Sequence, residues 1–183
     1  MNINYRKTTI DDAYGVEYVS AHSWKETYTG FMPDDYLNNR IANIENKLEI
    51  TKKFLQDKDT YYVATVDDRV VGICYYNKSE NEKYHDYGLL GAIYVLKDYQ
   101  KLGIGKELFK IAIKGLIDMG YNKMYLECLE GNPTINFYKH FDGEIVETID
   151  YQIKDFSVKA DIVLFNDLEN ILNYFNEEKN IKR

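Results

Sequence analysis

The chain has 183 residues, 45% of them apolar and 29% charged, a balance that argues for a folded domain and against wholesale disorder. Its formal charge of −7, with no basic stripe to neutralise phosphates, argues against nucleic acid as a partner. No apolar run approaches the roughly 18 residues that span a bilayer, and Met1 to Arg6 lacks an apolar signal region, so a cytoplasmic protein with no membrane association is expected.

Ile3 to Thr8 reads as a first strand. Thr9 caps a helix whose first turn holds Asp11 and Asp12, an acidic start that the helix dipole favours. Tyr14, Val16, Tyr18, Val19 and Ser20 carry that helix towards Trp24 and Tyr28. Gly30 stops it, and Pro33 opens a second helix. A third is expected from Ile44 to Leu55, with Leu48, Phe54 and Leu55 as its apolar face. Tyr61 to Val66 and Arg69 to Tyr76 read as a hairpin turning on Asp67-Asp68, and Lys78 to Lys83 as a loop. Tyr87 to Val95 is the next strand. The main helix, from Gly103 to Met119, buries Leu108, Phe109, Ala112, Ile113 and Leu116 and ends at Gly120. Tyr121 to Leu129 is a strand, Pro133 to Phe141 a short helix, Glu144 to Ile153 and Val158 to Phe165 a strand pair, and Asp167 to Glu178 a terminal helix.

This order specifies an α/β fold with a mixed sheet. No repeat, low-complexity segment or dividing linker interrupts it, so residues 1–183 are read as a single domain. Cys74 and Cys128 lie in predicted strands with no Cys-x-x-Cys spacing, and read as buried free thiols. His22, His85 and His140 are scattered, and no carboxylate grouping resembles an ion site, so no metal is expected.

The stretch from Ile93 to Lys106 organises the rest. A β-branched, aromatic strand end runs through a polar turn into Gln100-Lys101-Leu102-Gly103-Ile104-Gly105-Lys106 and directly into the main helix. Unpaired N–H groups of the loop and first helical turn converge there, and the helix dipole adds partial positive charge, so an anion is favoured. Gly103 and Gly105 allow close backbone approach, and Lys101 and Lys106 add charge. The glycines alone fit an ordinary strand–helix connection equally well. A P-loop needs four residues between its glycines and then Lys-Ser/Thr, whereas here one residue intervenes and Glu107 follows Lys106. A dinucleotide fingerprint needs a third glycine, but position 108 is Leu.

The remaining pattern, Val-x-x-x-x-Gln-x-x-Gly-x-Gly from Val95 to Gly105, resembles the pyrophosphate-binding motif of the GNAT superfamily of N-acetyltransferases. The resemblance covers most of the chain. It implies a mixed, mostly antiparallel central sheet flanked by helices, with splayed strands before the loop and after its helix forming the CoA cleft. It also implies acetyl-CoA as acetyl donor, held by Ile93, Tyr94, Val95, Gln100, Lys101, Leu102, Gly103, Ile104, Gly105 and Lys106.

A second constellation strengthens it. Asn132 and Tyr138 stand after a strand at the spacing common in GNAT enzymes, before a glycine-containing turn at Asp142-Gly143. Asn132 directly precedes the predicted helix, with Pro133 where a missing N–H costs nothing, and Tyr138 follows between one and two turns later. Taken alone, the pair reads as a helix cap and a packing residue. By resemblance, Asn132 and Phe137 line the pantetheine arm, and Tyr138 protonates the departing thiolate as general acid. The segment Trp24 to Pro33 resembles the acceptor wall of a bacterial subgroup, which makes Trp24 and Tyr28 candidate substrate residues; a hydrophobic staple between helices is the plainer alternative.

The implied reaction is direct attack of a primary amine of a small molecule or peptide on the thioester. No Ser-His-acid or Cys-His arrangement suggests a covalent enzyme intermediate. Many relatives carry Glu early in the strand before the loop, where this chain has Leu89. Glu127 is the substitute base, with Asp86, His85, Glu26 or water alone behind it. The alternative function is a non-catalytic acyl-CoA-binding or regulatory protein on the same fold, but retention of Tyr138 favours the enzyme. The acidic charge is compatible with a cationic amine, and the family suggests a homodimer.

Overall fold

The computed structural model describes residues 1–56 and 58–181, with side chains up to residue 177. Its strands are β1 (Ile3–Lys7), β2 (Tyr61–Val66), β3 (Arg69–Lys78), β4 (Gly88–Val95), β5 (Met124–Leu129), β6 (Glu144–Ile153) and β7 (Phe156–Phe165). Its helices are α1 (Ala13–Tyr28), α2 (Asp34–Ala42), α3 (Ile44–Gln56), α4 (Ile104–Asp118), α5 (Ile135–His140) and α6 (Leu168–Ile181). The strands form one seven-stranded sheet in the order β1-β2-β3-β4-β5-β7-β6. The pairs β1–β2, β2–β3, β5–β7 and β6–β7 are antiparallel, and β4–β5 is parallel. A mixed, mostly antiparallel sheet flanked by helices is the architecture expected from the sequence.

The chain forms two compact units, one from Met1–Tyr75 and Ala92–Phe109, the other from Tyr76–Gly91 and Lys110 onward. In the first unit, Asp67 and Asp68 both adopt left-handed φ (47° and 62°), the geometry of a tight two-residue hairpin turn. The β2–β3 register then shifts: Thr65 opposes Val70 and Ala64 opposes Gly72, leaving Val71 as a bulge. Val70 and Gly72 therefore face opposite sides of the sheet. A Cβ at Gly15 of α1 would lie 2.6 Å from the Val70 side chain, so glycine is what lets α1 approach that face. On the other face, Ile104 and Leu108 of α4 pack over Gly72 and Ala64. The carbonyl of the bulged Val71 accepts the N–H of Leu96 at 3.0 Å and so anchors the exit of β4.

Before α1, Ile10–Asp12 form a single 3-10 turn, so the helix starts later than Thr9 suggests. Asp12 is buried and engages Arg6 with both oxygens, at 2.7 and 2.8 Å, while accepting the Thr9 N–H at 2.8 Å. At the N-cap of α1 its carboxylate thus serves an ion pair and a turn as well as the acidic helix start expected. In α3 the buried residues are Ile44, Thr51 and Leu55. Phe54, expected on the apolar face, is 38% exposed and stands edge-on to Tyr61 and Tyr75. Thr51 is tolerated inside because its hydroxyl donates to Glu17 at 2.6 Å.

In the second unit, the β4–β5 ladder pairs Gly88 with Met124 and Leu89 with Tyr125, and ends there although both strands run on. Tyr84 stacks on Tyr125 at 4.9 Å, and these two with Ile162 form a cluster against which Tyr87, Leu89, Ile149 and Leu164 pack. Phe141, just after α5, stacks on Phe175 of α6 at 4.9 Å. Helix α4 ends as expected at Gly120, whose φ is +92°. Cys74 and Cys128 are buried free thiols, and burial pushes Cys128 up to about 11.

Candidate active site

The first unit carries the glycine loop. After Val95 the chain makes one 3-10 turn, Lys97–Tyr99, in which the Leu96 carbonyl accepts from Tyr99 (2.8 Å) and the Lys97 carbonyl from Gln100 (3.1 Å). The Gln100 side chain turns back so that Nε2 donates to the Val95 carbonyl at 3.1 Å. Its amide therefore braces the turn, a use that motif spacing does not reveal. Lys101 (φ 61°) and Gly103 (φ 83°) then take left-handed conformations and aim the chain into α4 at Ile104. A Cβ on Gly103 would meet nothing within 4 Å, so its surroundings are open space. At Gly105 a Cβ would make only an ordinary 3.8 Å contact with Val95, and no left-handed φ demands glycine there. Glycine costs about 1 kcal/mol relative to alanine inside a helix, so Gly105 gives up stability for room that protein packing does not use. Among the described residues, the N–H groups of Leu102, Gly103, Ile104 and Gly105 meet no protein acceptor. This donor array, open space and a helix N-terminus fit a diphosphate. Lys101 is exposed and Lys106 half-buried at the same end, with Ile93 and Tyr94 half-buried on the strand behind them.

The same unit carries the proposed acceptor residues. Trp24 and Tyr28 stand one turn apart on α1 with their rings edge-on at 5.1 Å; Trp24 is half-buried and Tyr28 buried. Glu26, on the same turn, accepts the backbone N–H of Lys97 at 3.2 Å, tying α1 to the exit of β4. Arg40 of α2 lies over the Trp24 ring, 4.3 Å from its centroid. Nothing in the sequence pointed to Arg40, because no local spacing links it to Trp24.

The second unit carries Glu127, Asn132, Phe137 and Tyr138. Helix α5 begins at Ile135, two residues later than expected, and the turn before it is held by Asn132. Asn132 Oδ1 accepts the Thr134 N–H at 2.9 Å, and the Asn132 carbonyl accepts from Ile135 at 3.2 Å. Pro133 thus lies in the turn rather than at the first helical position. Tyr138 is buried, with its ring edge-on to Phe165 (6.2 Å) and to half-buried Phe137 (5.6 Å).

Leu89, where many relatives carry glutamate, packs into the Tyr84–Tyr125 cluster. Glu127 follows Tyr125 by two residues on the same face of β5, in register with Ile162. One side of Glu127 is open to solvent, yet surrounding protein desolvates its carboxyl and raises its pKa. The other candidate bases have commitments of their own. Asp86 pairs with Lys123 at 3.2 Å, and that hydrogen bond lowers its pKa, while His85 Nδ1 is 3.0 Å from the Glu82 carbonyl. Among the described residues no group of His, Cys, Asp or Glu is arranged to hold a metal ion, and no helix is long and apolar enough to cross a membrane.

A mixed sheet whose central strand ends in a braced turn and an open helix N-terminus defines an α/β protein with an anion-receptive strand–helix connection. Residues 20–143 match the Acetyltransferase (GNAT) family, and the chain belongs to it. It is 28% identical over 160 residues to the uncharacterized N-acetyltransferase YuaI of Bacillus subtilis (strain 168), covering 86% of this chain and 89% of that one. In fold it is similar to the PaiA N-acetyltransferase of Thermoplasma acidophilum, solved in complex with coenzyme A (TM-score 0.66, 20% identity, 88% of this chain and 98% of that one). It is also similar to a GCN5-related N-acetyltransferase of Rhodopseudomonas palustris (TM-score 0.73, 12% identity, 91% and 96%).

Proposed function

We propose that the protein transfers the acetyl group of acetyl-CoA to a primary amine of a small molecule or peptide. The observation that carries this reading is the β4–α4 connection: consecutive N–H donors without protein acceptors beside open space at Gly103. Acetyl-CoA supplies an activated thioester. Gln100 to Lys106 hold its diphosphate with backbone N–H groups, the α4 dipole and the charges of Lys101 and Lys106. Ile93, Tyr94 and Val95 at the end of β4 take part in holding the pantetheine arm, as Asn132 and Phe137 of the second unit do, and a backbone N–H near Val95 meets the charge that develops on the thioester oxygen.

Glu127 takes the proton from the attacking amine, and its desolvated carboxyl is the stronger base for it. Tyr138 gives its phenolic proton to the departing sulfur. Trp24 and Tyr28 wall the acceptor.

The test is thiol release from acetyl-CoA across a panel of amines, with CoA affinity measured by calorimetry. Amine-stimulated release is expected, and Tyr138→Phe should lower kcat by about 10²-fold or more with CoA affinity kept. Unchanged turnover would remove Tyr138 as the acid. Tight CoA binding without release for any amine, protein N-termini included, would leave a binding protein in place of the enzyme.

A further inference from the structure

We infer that Arg40 is an anion-recognition residue of the acceptor wall, and that the amine this protein acetylates also carries a carboxylate. The inference rests on the acetyltransferase reading proposed above, with Trp24 at its acceptor wall, and deepens it by naming a substrate class.

Arg40 lies in the last turn of α2, half-buried, with its guanidinium 4.3 Å from the centroid of Trp24 and 6.0 Å from that of Tyr36. Its hydrogen bonds go to neutral hydroxyls: Nη2 donates to Ser20 Oγ at 3.0 Å and Nη1 to Tyr36 Oη at 3.4 Å. Among the described residues no carboxylate lies within 4.0 Å of it. The neighbouring cations differ, since Lys25 pairs with Asp34 at 3.3 Å and Lys47 with Glu17 at 3.6 Å. Arg40 Nε is buried without a hydrogen-bond partner, and so is Ser23 Oγ, three residues after Ser20 on α1.

Supply does not explain the missing partner, because the chain carries 30 acidic against 23 basic residues. A desolvated charge without a counter-ion is costly. The aromatic faces and the end of the α2 dipole compensate it only in part. What they do fix is orientation: stacking on Trp24 and the bond to Ser20 hold the guanidinium plane still. Each Nη keeps a second N–H, which makes a planar fork matched to a carboxylate. A lysine at position 40 would carry the charge without the fork.

The experiment uses matched pairs, amino acids and dipeptides against their C-terminal amides, which present the same amine with and without the carboxylate. Thiol release is measured with wild type, Arg40→Met and Arg40→Lys, after circular dichroism and melting confirm that the variants fold. Wild type should favour the acid over its amide by roughly tenfold or more in kcat/KM, mainly through KM. That preference should collapse in Arg40→Met and survive in part in Arg40→Lys. Trp24 is the only tryptophan of the chain, so its emission gives a readout independent of turnover: the acid should shift it, the amide should not, and Arg40→Met should be silent. Equal use of acid and amide, a preference that survives in Arg40→Met, or an emission indifferent to every carboxylate would each overturn the inference. Failure of the underlying reading looks different, with no CoA binding and no release from any amine.

Discussion

Gly103 and Gly120 offer a matched pair for separating ligand binding from backbone strain. Both have left-handed φ, 83° and 92°, and in neither would a Cβ meet any atom within 4 Å. Alanine at either site pays the same conformational penalty, about 1–2 kcal/mol. At roughly 2–4 °C per kcal/mol for a chain of this size, each variant should melt about 2–8 °C below wild type. Only Gly103 lies in the donor array beside Leu102, Ile104 and Gly105. A methyl group there obstructs at least one charge-assisted hydrogen bond to the diphosphate, worth about 1.5–3 kcal/mol, or roughly 10- to 150-fold in CoA affinity. Calorimetric titration with CoA and thermal melts on both variants supply the comparison. Equal CoA affinity in Gly103→Ala and Gly120→Ala would refute the loop as the diphosphate site. A far larger melting shift in Gly103→Ala would show that strain, not the ligand, accounts for any loss.

Further outcomes follow from the same geometry. Glu127→Gln should lower kcat by about 10²-fold and abolish the acid limb of the pH–rate profile; because desolvation raises this carboxyl, that limb in wild type should lie above the ordinary glutamate range. A profile of unchanged shape would remove Glu127 as the base. Burial alone would raise Asp12, but its bonds to Arg6 and the Thr9 N–H outweigh this and hold it below the usual carboxylate range. Its stabilisation is therefore complete above its unfolded pKa of about 3.9 and fades as pH falls through the lower folded value. Asp12→Asn should cost about 1–3 kcal/mol at pH 7 by denaturant titration, with Arg6 partly exposed, and the gap to wild type should narrow below about pH 4. Gly115→Ala should destabilise by about 1–3 kcal/mol in the same assay, because a Cβ there would overlap the buried Tyr76 side chain; a neutral result would mean that Tyr76 moves aside freely.

The sequence yielded what depends on local pattern. Period-2 runs located the strands, Asp67-Asp68 located the hairpin, and two glycines before an amphipathic run located the start of α4. Element ends moved by one to three residues, in part where a turn competed with the helix, as at Asn132, whose side chain holds Thr134 and delays α5. What stayed hidden depends on partners distant in sequence. Asp12 stands at the helix start as read, but its pairing with Arg6 of β1 gave no local signal. Arg40 gave no signal because its partner Trp24 lies on another helix, and Phe54 was read by periodicity although its neighbours are the rings of Tyr61 and Tyr75.

The β4 exit shows how such hidden partners shape the site. Three polar backbone groups just before the glycine loop have partners outside the turn's own backbone: Leu96 N–H goes to the bulge carbonyl of Val71, Lys97 N–H to Glu26, and the Val95 carbonyl to the Gln100 amide. The carbonyls of Leu96 and Lys97 are taken within the turn itself. The N–H groups from Leu102 to Gly105 then follow at the start of α4, where a helix leaves its first donors without intrahelical acceptors. Leu102 and Gly103 are exposed, so water can meet these N–H groups until a ligand displaces it. On the proposed reading an anion completes this array, and the side chains of Gln100 and Glu26 contribute by bracing the turn that presents it.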